Sequence, residues 1–360
     1  MPRTDHHAKP YDESTILKLS LYESYLKEWL GVFVHSGGGV NIFDFHCGPG
    51  ADVKGVKGSP LRCYDILLGY SDIISKNNTK IFAYFSDVDG EKINELNSRI
   101  AAYPRLPATV KINVNEKAFE DAFRELYSVM DHPNASNFLF IDPTGVAMNH
   151  EIFKKIFALK RTDFLLFTPS SFCLRFKGTP SFKKCHPDLE NTEVEDGRFR
   201  HRYLCDYFKK YFIPMGATYY ISPFSIKKER NVHGLIFGSH SLRGLEKFLR
   251  SCWRLDDKNG EANFGFRGDI PDSKQGLLLD EFGSIKQTNF NNYIRDMVLS
   301  GEIKNNKELF EQTLLKGFLP QHSKKILSEL HKKGKIAKPP VLSYTKIFNE
   351  KRIEPIEVLK

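Results

Sequence analysis

Asn41 to Leu61, NIFDFHCGPGADVKGVKGSPL, carries the first residues whose types and spacing could do chemistry. An apolar, β-prone run (Ile42, Phe43 and Phe45 around Asp44) stops in His46-Cys47-Gly48-Pro49-Gly50. A strand ending in a glycine turn can bring bare backbone close to a ligand. Gly58-Ser59-Pro60 then reads as a helix start, with Ser59 as N-cap and Pro60 at the first helical position. Strand, glycine loop and helix together hold nucleotide-like cofactors in open α/β sheets. A lone G-x-G is weak evidence, but here Asp44 precedes it in the spacing D-x-x-x-G-x-G.

Further acids follow at the ends of later strands. Lys80 to Phe85 (KIFAYF) reads as a buried parallel strand ending in Ser86-Asp87-Val88-Asp89-Gly90. An acid there is placed to bond a ribose diol; Asp87 closes the strand, and Asp89 is the alternative or the cap of the next helix. Asn115, after a third strand at Thr109 to Asn113, either meets an adenine amino group or faces solvent. A fourth strand, Asn137 to Ile141, leads into Asp142-Pro143-Thr144-Gly145, and a fifth, Asp163 to Thr168, ends in Pro169-Ser170-Ser171. Asp142 can accept hydrogen bonds from an amino group or serve as a general base; the bland reading is a tight turn. Cys185, His186, His201 and Cys205 match no standard zinc spacing, so no metal site is expected. Cys47 reads as packing.

These residues need a scaffold. Ile16, Leu19, Tyr22, Leu26, Trp29, Leu30 and Phe33 recur at helical spacing, which predicts an amphipathic helix packed on the sheet. Regular β–α alternation predicts a doubly wound, mostly parallel α/β sheet. Thr218 to Ile226 and Val232 to Phe237, around the turn Lys227-Lys228-Glu229-Arg230, predict an antiparallel edge hairpin. Lys177 to Val194 reads as a long loop or lid. The expected organisation is an N-terminal helical segment at 1–40, the sheet domain at 41–255 and a linker at 256–285. A basic, winged-helix-like domain follows at 286–340, then a tail at 341–360. The last domain has helices at Phe290 to Leu299, Asn306 to Leu315 and Pro320 to Lys333, and Lys332-Lys-Gly-Lys-Ile336 opens a small β-wing. A three-helix cap or protein-docking domain is the competing reading.

Composition bounds the class. At 360 residues, with 29 Phe and 41% hydrophobic content, the chain can fill one large core and a smaller one. No run of some 18 apolar residues and no signal peptide occur, and the six cysteines lack a C-x-x-C pair, so a reduced, cytoplasmic protein is expected. The net charge is +9, and Lys286 to Lys360 holds 15 Lys/Arg against 8 Asp/Glu, so most of the excess lies in the end module. That points to a polyanion, nucleic acid first, or to a solvated basic face.

Several blocks carry a resemblance: Asp44 with Cys47-Gly48-Pro49-Gly50, Gly58-Ser59-Pro60-Leu61, and Phe140-Ile141-Asp142-Pro143 with Gly145. To these add Ser222-Pro223-Phe224, His233, Leu235-Ile236-Phe237 and Leu245-Glu246-Lys247. Over most of its length the chain resembles the three-Cys-motif partner proteins, Rossmann-like and methyltransferase-related. They are named for a neighbouring gene whose product has a three-cysteine, radical-SAM-like motif. The resemblance implies a methyltransferase-type sheet and such a partner. It makes Asp44, Gly48, Gly50 and Asp87 the residues that would hold S-adenosylmethionine. Amino-group methyltransferases of this fold grip the amine with an Asp/Asn-Pro-Pro-aromatic stretch. On that pattern Asp142 is the catalytic candidate and Pro143 a substrate contact, while the second proline and the aromatic are missing. Stacking would then come from Phe172 or Phe45. Thr144 replaces an aromatic more usual in the family, and His46 and Cys47 stand where an apolar pair is usual. Two functions follow: a methyltransferase acting on nucleic acid with the three-Cys protein, or a non-catalytic scaffold for that protein.

Overall fold

The computed structural model describes residues 9–35, 39–143, 150–168, 200–213, 215–228, 231–261 and 285–359. The chain divides into two compact units, Met1–Gly244 and Leu245–Lys360.

In the first unit, β1 (Gly39–Asp44), β2 (Lys80–Asp87), β3 (Val110–Glu116), β4 (Ser136–Ile141) and β5 (Thr162–Thr168) run parallel. The hairpin β6 (Tyr220–Lys228) and β7 (Asn231–Ser239) joins them with β7 antiparallel to β5, giving the order β3-β2-β1-β4-β5-β7-β6. Every residue of β4 is buried, as a parallel strand covered on both faces requires. Its one amide is satisfied in the core: Asn137 donates to the carbonyl of Met130, at the end of the helix before β4, at 2.7 Å and accepts from Asn41 of β1 at 3.0 Å.

Helix α1 (Glu13–Val34) starts at Asp12, whose carboxylate accepts from the Thr15 N–H at 2.8 Å. Its aromatic stripe covers one sheet face: Tyr22 meets Phe140 at 4.6 Å, Tyr25 meets Phe237 at 5.2 Å and Trp29 meets Phe138 at 5.7 Å. The crossover helices are α2 (Ser59–Gly69), α3 (Ser71–Lys76), α4 (Gly90–Ala101), α5 (Phe119–Met130), α6 (His150–Ala158) and α7 (Arg200–Phe212). Phe123, Phe153, Phe157, Phe208 and Phe212 help build a second apolar cluster with residues of the sheet. Beneath α1, the buried Asp163 carboxylate accepts from Tyr25 Oη at 2.5 Å and from the Ser239 hydroxyl. Burial pushes its pKa up to about 6, with both hydroxyls pulling the other way. No described helix is long and apolar enough to cross a membrane.

The second unit takes most of α8 (Leu242–Leu255) together with α9 (Ile285–Leu299), α10 (Asn306–Leu315) and α11 (Pro320–Lys332). The division falls at 244/245, inside the first turn of α8, where the sequence expectation ended the sheet domain at 255. Trp253 of α8 explains the grouping: its indole N–H donates to the Gly317 carbonyl at 3.0 Å, and its ring packs on Phe318 and His322. Burial holds the His322 imidazole down at about 4, with Lys325 and Lys286 pushing the same way. The start of the expected linker is an ordered turn, with the Asp256 carboxylate accepting from the backbone of Lys258, Asn259 and Glu261.

The expected tail is also folded. Asn305 bridges Pro355 and Ile336 bridges Val358, both antiparallel. Asn306 donates to the carbonyls of Val341 and Arg352, and Phe310 packs on Tyr344 and Phe348. These bridges and contacts tie residues 341–359 to the helices of the second unit.

Candidate functional site

The strand order reverses between β1 and β4, and the crevice outside their carboxyl ends is where such sheets bind ligands. The glycine turn after β1 sits there, pinned from below by Cys47 N–H donating to the Ser86 carbonyl at 3.1 Å. Gly48 has φ +58° and its N–H donates to Asp87 Oδ2 at 3.0 Å, while Asp87 Oδ1 accepts from Asp89 N–H at 3.1 Å. The β2 carboxylate is therefore fastened to both loops and keeps lone pairs for a further donor. Asp89 is the cap of α4, accepting from Glu91 and Lys92. Asn115 is exposed at the end of β3.

Gly50 is also required by packing. Its φ is +88°, and a Cβ there would lie 2.8 Å from Leu96 Cδ1 and 3.1 Å from Leu61 Cγ. Turn geometry and core packing both demand glycine, so Gly50→Val would damage the fold rather than probe ligand contact. The helix start also differs by one residue. The N-cap of α2 is Gly58, whose N–H donates to the Gly50 carbonyl at 2.7 Å, and Ser59 lies inside the first turn. There the Ser59 hydroxyl lies beside Asp44.

Asp44 is fully buried at the end of β1. Oδ1 accepts from His46 N–H at 3.3 Å, and Oδ2 has no hydrogen-bond partner among the described residues. Burial pushes its carboxyl up to about 7; Ser59 and the His46 N–H pull it down, and the Asp142 and Asp87 carboxylates push it further up. Cys47 is buried, and desolvation pushes its thiol well up, so the thiolate is disfavoured.

Asp142 follows β4, and Lys18 of α1 reaches it with an ion pair to Oδ2. The Lys18 ammonium also lies 4.5 Å from the centroid of the Phe167 ring. Neither Lys18 nor Phe167 was singled out by sequence reasoning. Pro143 is half-buried beside Asp142, and Phe172 lies outside the described residues. Phe45 cannot stack a base: it is 1% exposed, stacked on Phe43 and edge-on to Phe119. Cys205 is in the core, while Cys185, His186 and the side chain of His201 lie outside the described residues.

In the second unit, α11 turns His322, Ser323, Ile326, Leu327 and Leu330 inward. Gln321, Lys324, Lys325, Ser328 and Lys332 are exposed on its other side. The acid of this helix, Glu329, lies 3.7 Å from Arg295 of α9.

A family model described as the GMT-like wHTH domain matches residues 265–340. The C-terminal unit thus contains a winged helix-turn-helix domain. No curated protein matches the chain. Among solved structures, the complex of Trm1 from Pyrococcus horikoshii with S-adenosyl-L-methionine is similar at 12% identity and a TM-score of 0.39. The similarity covers 72% of this chain and 64% of that one, so the chain spans less than two thirds of that relative's length. The sheet of the first unit is of methyltransferase type by its own strand order, with an antiparallel β7 set between β5 and β6.

Proposed function

We propose that the chain is an S-adenosylmethionine-dependent methyltransferase that modifies an amino group on nucleic acid, working with a three-Cys-motif protein as its family resemblance implies. The observation that carries this reading is Asp44. A fully buried carboxylate with only the His46 N–H and the adjacent Ser59 hydroxyl to offset its charge is costly unless a cation or donor reaches it from a ligand. It stands at the glycine turn beside Asp87 and Asp142, which both act on it electrostatically. This acidic set fits a ligand bearing an ammonium, a sulfonium and a ribose diol. Asp87, held by Gly48 and Asp89, would take the diol; Asp44 would take the amino end; the cofactor would supply an electrophilic methyl group. Asp142 would accept a hydrogen bond from the acceptor amine and orient its lone pair. The second unit, basic and winged-helix in form, would hold the polyanion through α11.

A scaffold that kept the fold without turnover is the second reading, and one observation favours it: Asp142 is already paired with Lys18 while Thr144 stands in the aromatic's place. Tritiated methyl transfer to a mixed DNA and RNA pool, with and without the three-Cys protein, separates the two. As an enzyme, the wild type transfers methyl groups. Asp142→Ala should lower the chemical rate about 10²-fold or more while changing cofactor affinity far less. Absence of transfer under both conditions, with the cofactor shown to bind, would make the protein a scaffold.

A further inference from the structure

Lys18 is the feature that neither the fold nor the cofactor explains. Its neighbours Leu19, Leu21 and Tyr22 are buried on α1, and its own side chain is only 11% exposed. A lysine so placed costs desolvation energy that an apolar residue would avoid. Its head group meets two partners at the carboxyl edge of the sheet. Ile141 pairs with Leu166, so the residues after them, Asp142 and Phe167, stand side by side on adjacent strands. The ammonium is ion-paired to the first and lies over the ring of the second. A carboxylate that accepts N–H and an aromatic face beside it are the two elements that recognise an amino-bearing base.

We propose that Asp142 and Phe167 form a subsite for the exocyclic amine of a nucleobase, and that the Lys18 ammonium fills it until the acceptor displaces it. Phe167 thereby supplies the aromatic surface missing from the Asp142-Pro143-Thr144-Gly145 stretch. The inference rests on the methyltransferase reading for its substrate class. A base is favoured over a protein lysine because a flat ring can stack on Phe167 and because the exposed side of α11 is basic. Lys18 is in this account a gate and not a reacting group.

The test is equilibrium binding to the full chain, followed by ligand-detected magnetic resonance. The probes are adenosine and cytidine monophosphates, their deaminated counterparts inosine and uridine monophosphates, and a short lysine peptide. Lys18→Met should bind the amino nucleotides about tenfold more tightly than the wild type, because the competing ammonium is gone. The deaminated nucleotides should bind it at least about tenfold more weakly than the amino ones, since they place a carbonyl oxygen, which the carboxylate repels, where the amine would donate; their ring N–H lies at a different position. Lys18→Arg, which keeps a cation in place, should behave as the wild type, and adding Phe167→Leu to Lys18→Met should remove most of the gain. Lys18→Gln repeats the neutral variant should methionine disturb α1, and thermal unfolding checks both. Equal binding of amino and deaminated nucleotides, no gain in either neutral variant, or strongest binding of the lysine peptide would overturn the proposal. Amine-selective binding without methyl transfer would leave this subsite standing and remove the methyltransferase reading. Methyl transfer with no amine preference would do the reverse.

Discussion

Asp44→Asn should be more stable than the wild type at pH 8 and equal to it or weaker near pH 4. An unfolded aspartate titrates near 3.9, and the folded carboxyl is raised to about 7, so folding favours the protonated form. Its favourable contribution is complete below about pH 4 and is lost as pH rises through 7. A shift of about 3 units corresponds to roughly 4 kcal/mol, taken as an upper bound because a buried site relaxes when it ionises. Asparagine has no charge to desolvate. Asp163, raised to about 6, depresses stability over the same window in both proteins, so the difference between them isolates Asp44. Urea unfolding at pH 4, 6 and 8 measures it. Parallel stability curves for the two proteins would show that Asp44 is not the unsatisfied charge described above. The same substitution should weaken cofactor binding, since stability withheld from the apo protein is what a cationic ligand restores.

Replacing Lys324, Lys325 and Lys332 together with alanine should nearly abolish duplex binding. The three lie on the exposed side of α11, remote from the buried positions that hold the helix. If each meets a phosphate, losing them should lower the slope of log affinity against log salt by about 3. At 0.1 M salt, affinity should fall by about two to three orders of magnitude. Alanine is the best helix former, so α11 should persist, which circular dichroism checks. A salt slope equal to the wild type's would assign the basic side to solubility alone.

The parts of this molecule legible in its sequence are those with local pattern. KIFAYF and NFLFI are apolar runs ended by acids, and both are strands with those acids at the carboxyl edge, the second buried throughout and the first buried at alternate residues. The aromatic residues of α1 recur at helical spacing and do pack on the sheet. What escaped depends on distance or brevity. Lys18 and Asp142 meet only once α1 has docked, and nothing beside Lys18 marks it apart from any polar helix residue. Phe167 reads as one more core residue of DFLLFT until Asp142 stands next to it. The bridges at Asn305, Ile336 and Val358 are single pairs, too short for a period-2 pattern, so the packing of residues 341–359 left no mark in the sequence. The packing demand at Gly50 was hidden because a motif records that glycine is needed and not what would collide with its side chain. The Gly58 cap was displaced to Ser59 because serine is a common cap, whereas here its hydroxyl lies beside Asp44 within the first turn.

Calorimetric titration of S-adenosylmethionine into the wild type and Asp87→Ala, at one pH and salt, tests the central claim most directly. The account predicts saturable one-to-one binding by the wild type, weakened by roughly 1.5–3 kcal/mol in the variant. That range reflects a hydrogen bond to a charged group, together with the loss of the carboxylate that holds Gly48. No binding by the folded wild type, or the same affinity in both proteins, would contradict it.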